Sequence, residues 1–372
     1  MSAPDDAVPI TVVSGPLGAG KTTLVNRLLN DPGDRRIAVV VNDMGEVNVD
    51  AELLDGETEE GVVDLSNGCI CCRLQDDLVT EVTELAESRS FDYLVVEASG
   101  ISEPIPIART LTGADGDEVP DRLRLDTTVS VVDAYGFWKA FDPDASLPDA
   151  APDPERPLTE VLVDQIEFCD VLLLNKCDMV PDEELDAVEA AVRELQPRAK
   201  LHRTTYSEVD PGEVLGTGLF DFEDARRRQG WKQALAESGD HGGDDNGHGH
   251  DHGEQPAAAA HGVESVVYRS DRPFHPERFD AWLDEWRGDV VRAKGFAWVA
   301  SRPDEVFGVS QAGPAVQAGP IGEWGGDDPA TRLVIIGREL DRDALTATLD
   351  DCLATDAERS ASYDEDPFPR ES

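Results

Sequence analysis

Lysine is almost missing from this chain. Six residues, Lys21, Lys139, Lys176, Lys200, Lys232 and Lys294, are all it has in 372. Arginine carries most of the positive charge, and 78 acidic residues against 32 basic ones give a formal net charge of −46. A surface of that sign repels nucleic-acid phosphates and anionic lipid, so neither is expected as a partner. The excess reads as a solvated surface suited to a salt-rich, halophilic cytoplasm. At molar salt the Debye length falls to about 3 Å and self-repulsion is screened, so unfolding at low ionic strength is expected. Long apolar runs are missing as well. None approaches the roughly 18–20 residues that span a bilayer. Met1 to Pro9 is acidic and lacks the basic-then-apolar layout of a signal peptide. The expected location is the cytoplasm, and there the six cysteines are not a disulfide framework.

What is present is alternation. Short, nearly continuous apolar runs occur at 10–14, 37–41, 93–96, 128–132 and 171–174, as expected for strands covered on both faces. Stretches of helical spacing lie between them, including 21–30, 74–86 and 183–195. The expected fold is α/β, a doubly wound, mostly parallel sheet over residues 1–225. Residues 226–262 turn to Gly, Asp and His without apolar periodicity and read as a flexible linker. Strand-like and helical segments resume over 263–353, giving a small α+β domain. The acidic tail, 354–372, is expected to be loose.

Gly15-Pro16-Leu17-Gly18-Ala19-Gly20-Lys21-Thr22 fits G-x-x-x-x-G-K-[ST] between a strand and a helix. Such a loop wraps phosphates with backbone N–H groups from Gly15, Gly18, Ala19, Gly20 and the helix start at Thr23. Lys21 then bridges the β- and γ-phosphates and Thr22 ligates Mg²⁺. Asn175-Lys176-Cys177-Asp178 follows an apolar strand. Asp178 there accepts from guanine N1–H and the N2 amino group, a donor pair adenine lacks, so GTP is preferred. Asn175 can reach the base edge or brace the phosphate loop, and the Lys176 stem can lie along the ring. Glu97 ends the strand Tyr93–Val96 and is expected near Mg²⁺, with Gly100 approaching the γ-phosphate. Asn42 to Asp50 carries carboxylates beside Gly45 and suits a switch loop.

Cys69, Cys71 and Cys72 place three thiols within four residues. They read as one loop offering soft ligands for Zn²⁺, Cu⁺ or cobalt. Three ligands leave a tetrahedron incomplete, which suits transfer better than structural closure. His248, His250 and His252, with His241 and His261, lie in the linker. They are candidate accessory metal ligands, against the plainer reading of an acidic spacer.

GPLGAGKT, VNDMGEVNVD, GCICC, EASGISEP and NKCD occur in that order, and RPFHPERF, GFAWVA and Trp324-Gly325 follow. Together they resemble the CobW family of metal-handling GTPases, which includes the zinc-regulated GTPase metalloprotein activators. The resemblance implies that Cys69, Cys71 and Cys72 bind zinc beside the switch and that GTP hydrolysis releases metal to a client metalloprotein. It leaves Glu46 and Asp43 as candidates for orienting water. Asp43-Met44-Gly45 stands where the family commonly shows Glu-Phe-Gly. Two alternatives stay open: a GTPase handling cobalt in corrinoid synthesis, and a non-catalytic metal buffer with a nucleotide switch. A monomer and a dimer are both compatible with the sequence.

Overall fold

A computed structural model describes residues 7–41, 54–57, 62–65, 70–73, 78–113, 122–140, 158–221, 263–285, 290–313, 315–325, 328–360, 363 and 366–368. The chain divides into two compact units, one around each of two sheets.

Up to Arg203 the chain alternates strand and helix: β1 (Val8–Ser14), α1 (Lys21–Asn30), β2 (Ile37–Val41), β3 (Leu54–Glu57), β4 (Val62–Leu65), β5 (Ile70–Arg73), α2 (Leu78–Ser88), β6 (Tyr93–Glu97), α3 (Pro104–Leu111), β7 (Leu123–Asp133), α4 (Phe137–Ala140), α5 (Leu158–Glu167), β8 (Val171–Asn175), α6 (Asp182–Leu195) and β9 (Lys200–Arg203). All of these belong to the first unit except α4 from Trp138 and α6 from Asp186, which are grouped with the second. The first unit's sheet has the order β3-β4-β5-β2-β6-β1-β7-β8-β9. From β5 to β9 neighbouring strands run parallel, and β3 and β4 join antiparallel at one edge.

The alternation of buried residues explains the double winding. Val39, Val41 and Val95 face one core with Leu24, Val25 and Leu28 of α1. Ala38, Val40 and Val96 face the other, with Val82 and Leu85 of α2 and Leu111 of α3. All five residues of β2 are buried, each valine contributing about 1.5–3 kcal/mol relative to exposure. Strands this apolar on both faces cannot sit at a solvated surface, so helices must cover both.

The second unit holds β10 (Val263–Ser270), α7 (Pro276–Glu285), β11 (Val290–Ala297), β12 (Glu305–Ala312), β13 (Ala315–Glu323), β14 (Thr331–Arg338) and α8 (Arg342–Asp351). Its strands form an antiparallel sheet ordered β10-β14-β11-β12-β13. Asp341 caps α8 by accepting from the Ala344 N–H at 3.0 Å, worth about 1 kcal/mol. Phe274 and Phe279 stack at 4.3 Å between centroids in a core that also holds Phe307, Leu333 and Ile335.

The tail is not loose where it is described. Phe368 is buried in that same core, 4.5 Å from the Phe307 ring centroid. Arg302 donates from Nε to Asp366 Oδ2 at 2.7 Å and from Nη2 to the Phe368 carbonyl at 2.8 Å. Arg278 grips both oxygens of Glu358 at 3.1 and 2.9 Å. That guanidinium, helped by Thr355 donors, holds the Glu358 carboxyl well below the usual carboxylate range. An acidic composition hid one aromatic anchor and two arginine clamps.

Candidate functional site

The carboxyl ends of β1, β6, β7, β8 and β9 share one edge of the parallel sheet, and the sequence motifs converge there. At such an edge loops from different strands meet, which is where open α/β sheets bind ligands. Gly15 leaves β1 with φ +133°, and Gly20 enters α1 with φ +114°. Both positions need glycine. A Cβ on Gly15 would overlap the Val131 carbonyl, and one on Gly20 would overlap Asn175 and Ser207. The loop is thereby pressed against β7 and β8, leaving its N–H groups at the start of a 10-residue helix.

Lys21 is buried and donates to the carbonyls of Gly15 and Pro16 at 2.9 and 3.2 Å. Thr22 Oγ1 donates to Glu97 Oε1 at 2.7 Å, and Glu97 is fully buried. This bond joins two motifs 75 residues apart. Hydroxyl and carboxylate oxygens are hard donors, so the pair fits a hard cation such as Mg²⁺ rather than a soft one. Gly100 is buried against the phosphate-binding loop, because a Cβ there would lie 2.7 Å from the Leu17 nitrogen. Gly18 and Thr23 are exposed, on the solvent side of that loop.

Asn175 braces the glycine-rich loop from behind. Its Nδ2 donates to the Ala19 carbonyl at 2.8 Å, and its Oδ1 accepts from Ser207 N at 2.8 Å and Thr204 Oγ1 at 3.1 Å. Lys176 takes a left-handed φ of 62° and pairs its Nζ with Asp133 Oδ2 at 2.8 Å. Asp178 sits in the short turn after β8 and is exposed, open to a ligand. Cys177 donates its thiol to the Leu174 carbonyl at 3.0 Å, in keeping with a structural role.

Two features of this edge escaped the sequence reading. One is the turn Thr204 to Ser207 after β9. Tyr206 and Ser207 both hold positive φ, 51° and 55°, a strained arrangement that costs of order 1 kcal/mol or more per residue and persists where surroundings enforce it. Ser207 Oγ donates to the Gly20 carbonyl at 2.9 Å, and Arg27 Nε donates to the Tyr206 carbonyl at 2.7 Å. The turn therefore backs both the phosphate loop and Asn175. The other is Asp133, at the end of β7, which holds Lys176. The cue for both was position: Asp133 ends one strand of the parallel sheet and the turn directly follows another.

The metal-site residues are only partly within view. Cys71 and Cys72 belong to strand β5 rather than to a loop, because Val62 and Val63 of β4 pair with them on one side and Val39 and Val40 of β2 on the other. Cys69, the switch stretch with Asp43 and Glu46, and His248, His250 and His252 lie outside the described residues. Among the described residues no group of three or more metal-ligating side chains comes together. No helix among them is long and apolar enough to cross a membrane.

Comparison with known proteins gives this edge a lineage. The family description "CobW/HypB/UreG, nucleotide-binding domain" matches residues 9–203, and "Cobalamin synthesis protein cobW C-terminal domain" matches residues 263–353. The chain is 38% identical over 400 aligned positions to a protein of Dictyostelium discoideum named zinc-regulated GTPase metalloprotein activator 1, covering 95% of this chain and 81% of that one. It is 30% identical to a Sinorhizobium protein named zinc chaperone CobW, covering 92% and 96%. Among solved structures, Zn(II)-bound YjiA GTPase from E. coli aligns over 94% of this chain and 99% of its own at 22% identity and a TM-score of 0.46, too loose a likeness to bear on the site. With the nucleotide-binding match alone spanning more than half of the 372 residues, the chain belongs to the CobW/HypB/UreG family and carries the CobW C-terminal domain.

Proposed function

We propose that this protein is a GTP-hydrolysing metallochaperone that binds zinc and transfers it to a client metalloprotein. The observation that carries this reading is the register of the parallel sheet. Val13 of β1, Glu97 of β6, Val41 of β2 and Arg73 of β5 stand in one row across four strands. One row back stand Val12, Val96, Val40 and Cys72. Strands are spaced about 4.8 Å apart, so the backbone carrying Cys71 and Cys72 is two strand spacings from that carrying Glu97. The strand between them, β2, runs straight into Asn42–Asp50.

In this reading Gly15, Gly18, Ala19, Gly20, Lys21, Thr22 and Thr23 hold the phosphates, Asp178 selects guanine with the Lys176 stem along the ring and Asn175 bracing the loop, and Gly100 meets the γ-phosphate. Thr22 and Glu97 would hold Mg²⁺, whose charge offsets the negative charge of the β- and γ-phosphate oxygens when bound. Lys21 exchanges its two carbonyl partners for phosphate oxygens, stabilising charge that builds toward the leaving diphosphate. Asp43 or Glu46 orients the attacking water. Zinc is the cargo, bound by Cys69, Cys71 and Cys72, with His248, His250 and His252 as accessory ligands. A shift of β2 with nucleotide state changes the strand beside the cysteines, so metal and nucleotide affinities are coupled, and reciprocally so. Residues 1–225 carry this chemistry, 226–262 tether it, and 263–353 with the 354–372 tail form the second domain. The zinc names of the two relatives support zinc over cobalt.

The test is zinc affinity of the full chain, measured by chelator competition with GDP or a slowly hydrolysed GTP analogue bound. The expected result is a several-fold difference between the two states that Cys71→Ala abolishes. Equal affinities in both states, or a Cys71→Ala chain that holds zinc as the parent does, would overturn the reading. Preference for Co²⁺ in direct competition would favour the corrinoid alternative. GTP turnover no faster than that of Lys21→Ala would leave a metal buffer.

A further inference from the structure

We propose that Gln165 is a positioning residue that fixes the Gly100 loop for sensing the γ-phosphate, and so sets the preference for GTP over GDP. This rests on the GTPase reading above. Helix α5 buries Val161, Leu162, Val163 and Ile166, and Thr159, Glu160 and Glu167 are buried with them. Gln165 is among them at 0% exposure. Its Nε2 donates to the carbonyls of Ser102 at 3.1 Å and Gly100 at 3.4 Å, reaching more than 60 residues back along the chain. Both partners are acceptors, so the amide orientation is decided by chemistry: only the NH₂ end can face them. Its Oε1 meets no donor among the described residues. A buried amide satisfied at one end costs stability that Met or Leu would recover. Packing alone therefore does not account for it, whereas gripping a particular loop does.

The loop is held at three points. At its start Ala98 N donates to the Val13 carbonyl of β1 at 2.9 Å. In its middle Gly100 lies against Leu17 of the phosphate-binding loop so closely that a Cβ would come within 2.8 Å of the leucine Cγ. At its far side Gln165 takes the carbonyls. Between these points Ser102 N closes a turn onto the Ser99 carbonyl at 3.0 Å. A side chain that grips carbonyl oxygens does not compete for backbone N–H groups, which are the donors a phosphate needs. Among the contacts to this turn, those at Ala98 and Leu17 come from β1 and the loop that follows it, elements that hold α- and β-phosphates in either nucleotide state. Gln165 ties the turn to a different helix, α5. Releasing it loosens the γ-phosphate side and leaves the GDP side intact.

The experiment compares the parent with Gln165→Met and Gln165→Glu, each as the full chain with Mg²⁺ at high salt. Affinities for GDP and for a slowly hydrolysed GTP analogue are measured with thermal unfolding. Gln165→Met keeps the volume and removes the buried amide. It is expected to unfold at the parent's temperature or above and to bind GDP as the parent does. Its affinity for the GTP analogue is expected to drop about five- to tenfold, the worth of one to two hydrogen bonds. Gln165→Glu turns acceptors toward the same carbonyls and is expected to lower the GTP-to-GDP ratio further. An unchanged ratio in both variants, or GDP and GTP affinities falling in step with the unfolding temperature, would overturn the inference while leaving the GTPase reading in place. A parent that binds neither nucleotide better than Lys21→Ala would overturn both.

Discussion

The two sheets solve the same packing problem with opposite sequence habits. β2 is five consecutive apolar residues, all buried. β13 reads Ala-Val-Gln-Ala-Gly-Pro-Ile-Gly-Glu, and none of its residues is buried. In the first sheet the strands from β5 to β9 run parallel, so their carboxyl ends share an edge and the loops after five of them converge on one place. In the second they are antiparallel, ends alternate, and no such convergence arises. Arg292, fully buried there, donates to Ser310 Oγ at 3.2 Å within the sheet. The first unit gathers the motif residues at one edge, and the second gathers aromatics around a clamped tail.

Mutations that strike one unit alone are the way to break that division. The largest effect belongs to Lys21→Ala, which is expected to weaken nucleotide binding on the order of a hundredfold and abolish turnover. The second unit's melting should stay in place. Titration with a fluorescent guanine nucleotide, alongside calorimetry, measures both. Asp178→Asn comes next. Xanthine bears a carbonyl where guanine bears its amino group, and an Asn amide can donate to it. The variant should lose on the order of a hundredfold in GTP affinity and gain in XTP affinity. Phe368→Ala is the counterpart in the second unit. Removing a buried ring is expected to cost about 3–5 kcal/mol there, lowering one calorimetric transition while GDP affinity holds. If GDP affinity fell in parallel, the two units would not be energetically separate.

The smallest effect concerns pH. Glu358 has a carboxyl held below its ordinary range by Arg278 and Thr355. A depressed folded value contributes stability that is full above the unfolded carboxylate range and fades as pH falls through the folded value. Glu358→Gln should therefore flatten the acid limb of the second unit's stability, below about pH 5, and change little near neutrality. Melting curves from pH 7 to pH 3 check the sign.

The division also decides what could be read from the sequence. The first sheet was legible because strands buried on both faces must be short apolar runs, and because phosphate and base recognition demand particular residues at fixed spacing. β5 was not, since Cys-Cys beside Arg73 looks like a ligand loop until β2 and β4 are seen to pair with it. The turn at Tyr206 was hidden because its role lies in backbone conformation and in a contact to Gly20 across 187 residues. β13 was missed because Gly and Pro are poor strand formers, and pairing with β12 supplies what propensity does not. The tail was read from its net acidity, which hid the Phe368 ring and the Arg278 and Arg302 contacts that hold it.

The contacts of Lys21 have a consequence for how the site meets anions. Its ammonium is already bonded to two carbonyls of its own loop, so a ligand that takes those donors enters by substitution. A weakly basic anion such as sulfate offers little in exchange for two hydrogen bonds and should compete poorly. A polyphosphate, with more charge and many acceptors, can make the trade worthwhile. In that trade the loop discriminates by charge and by the number of acceptors a ligand brings.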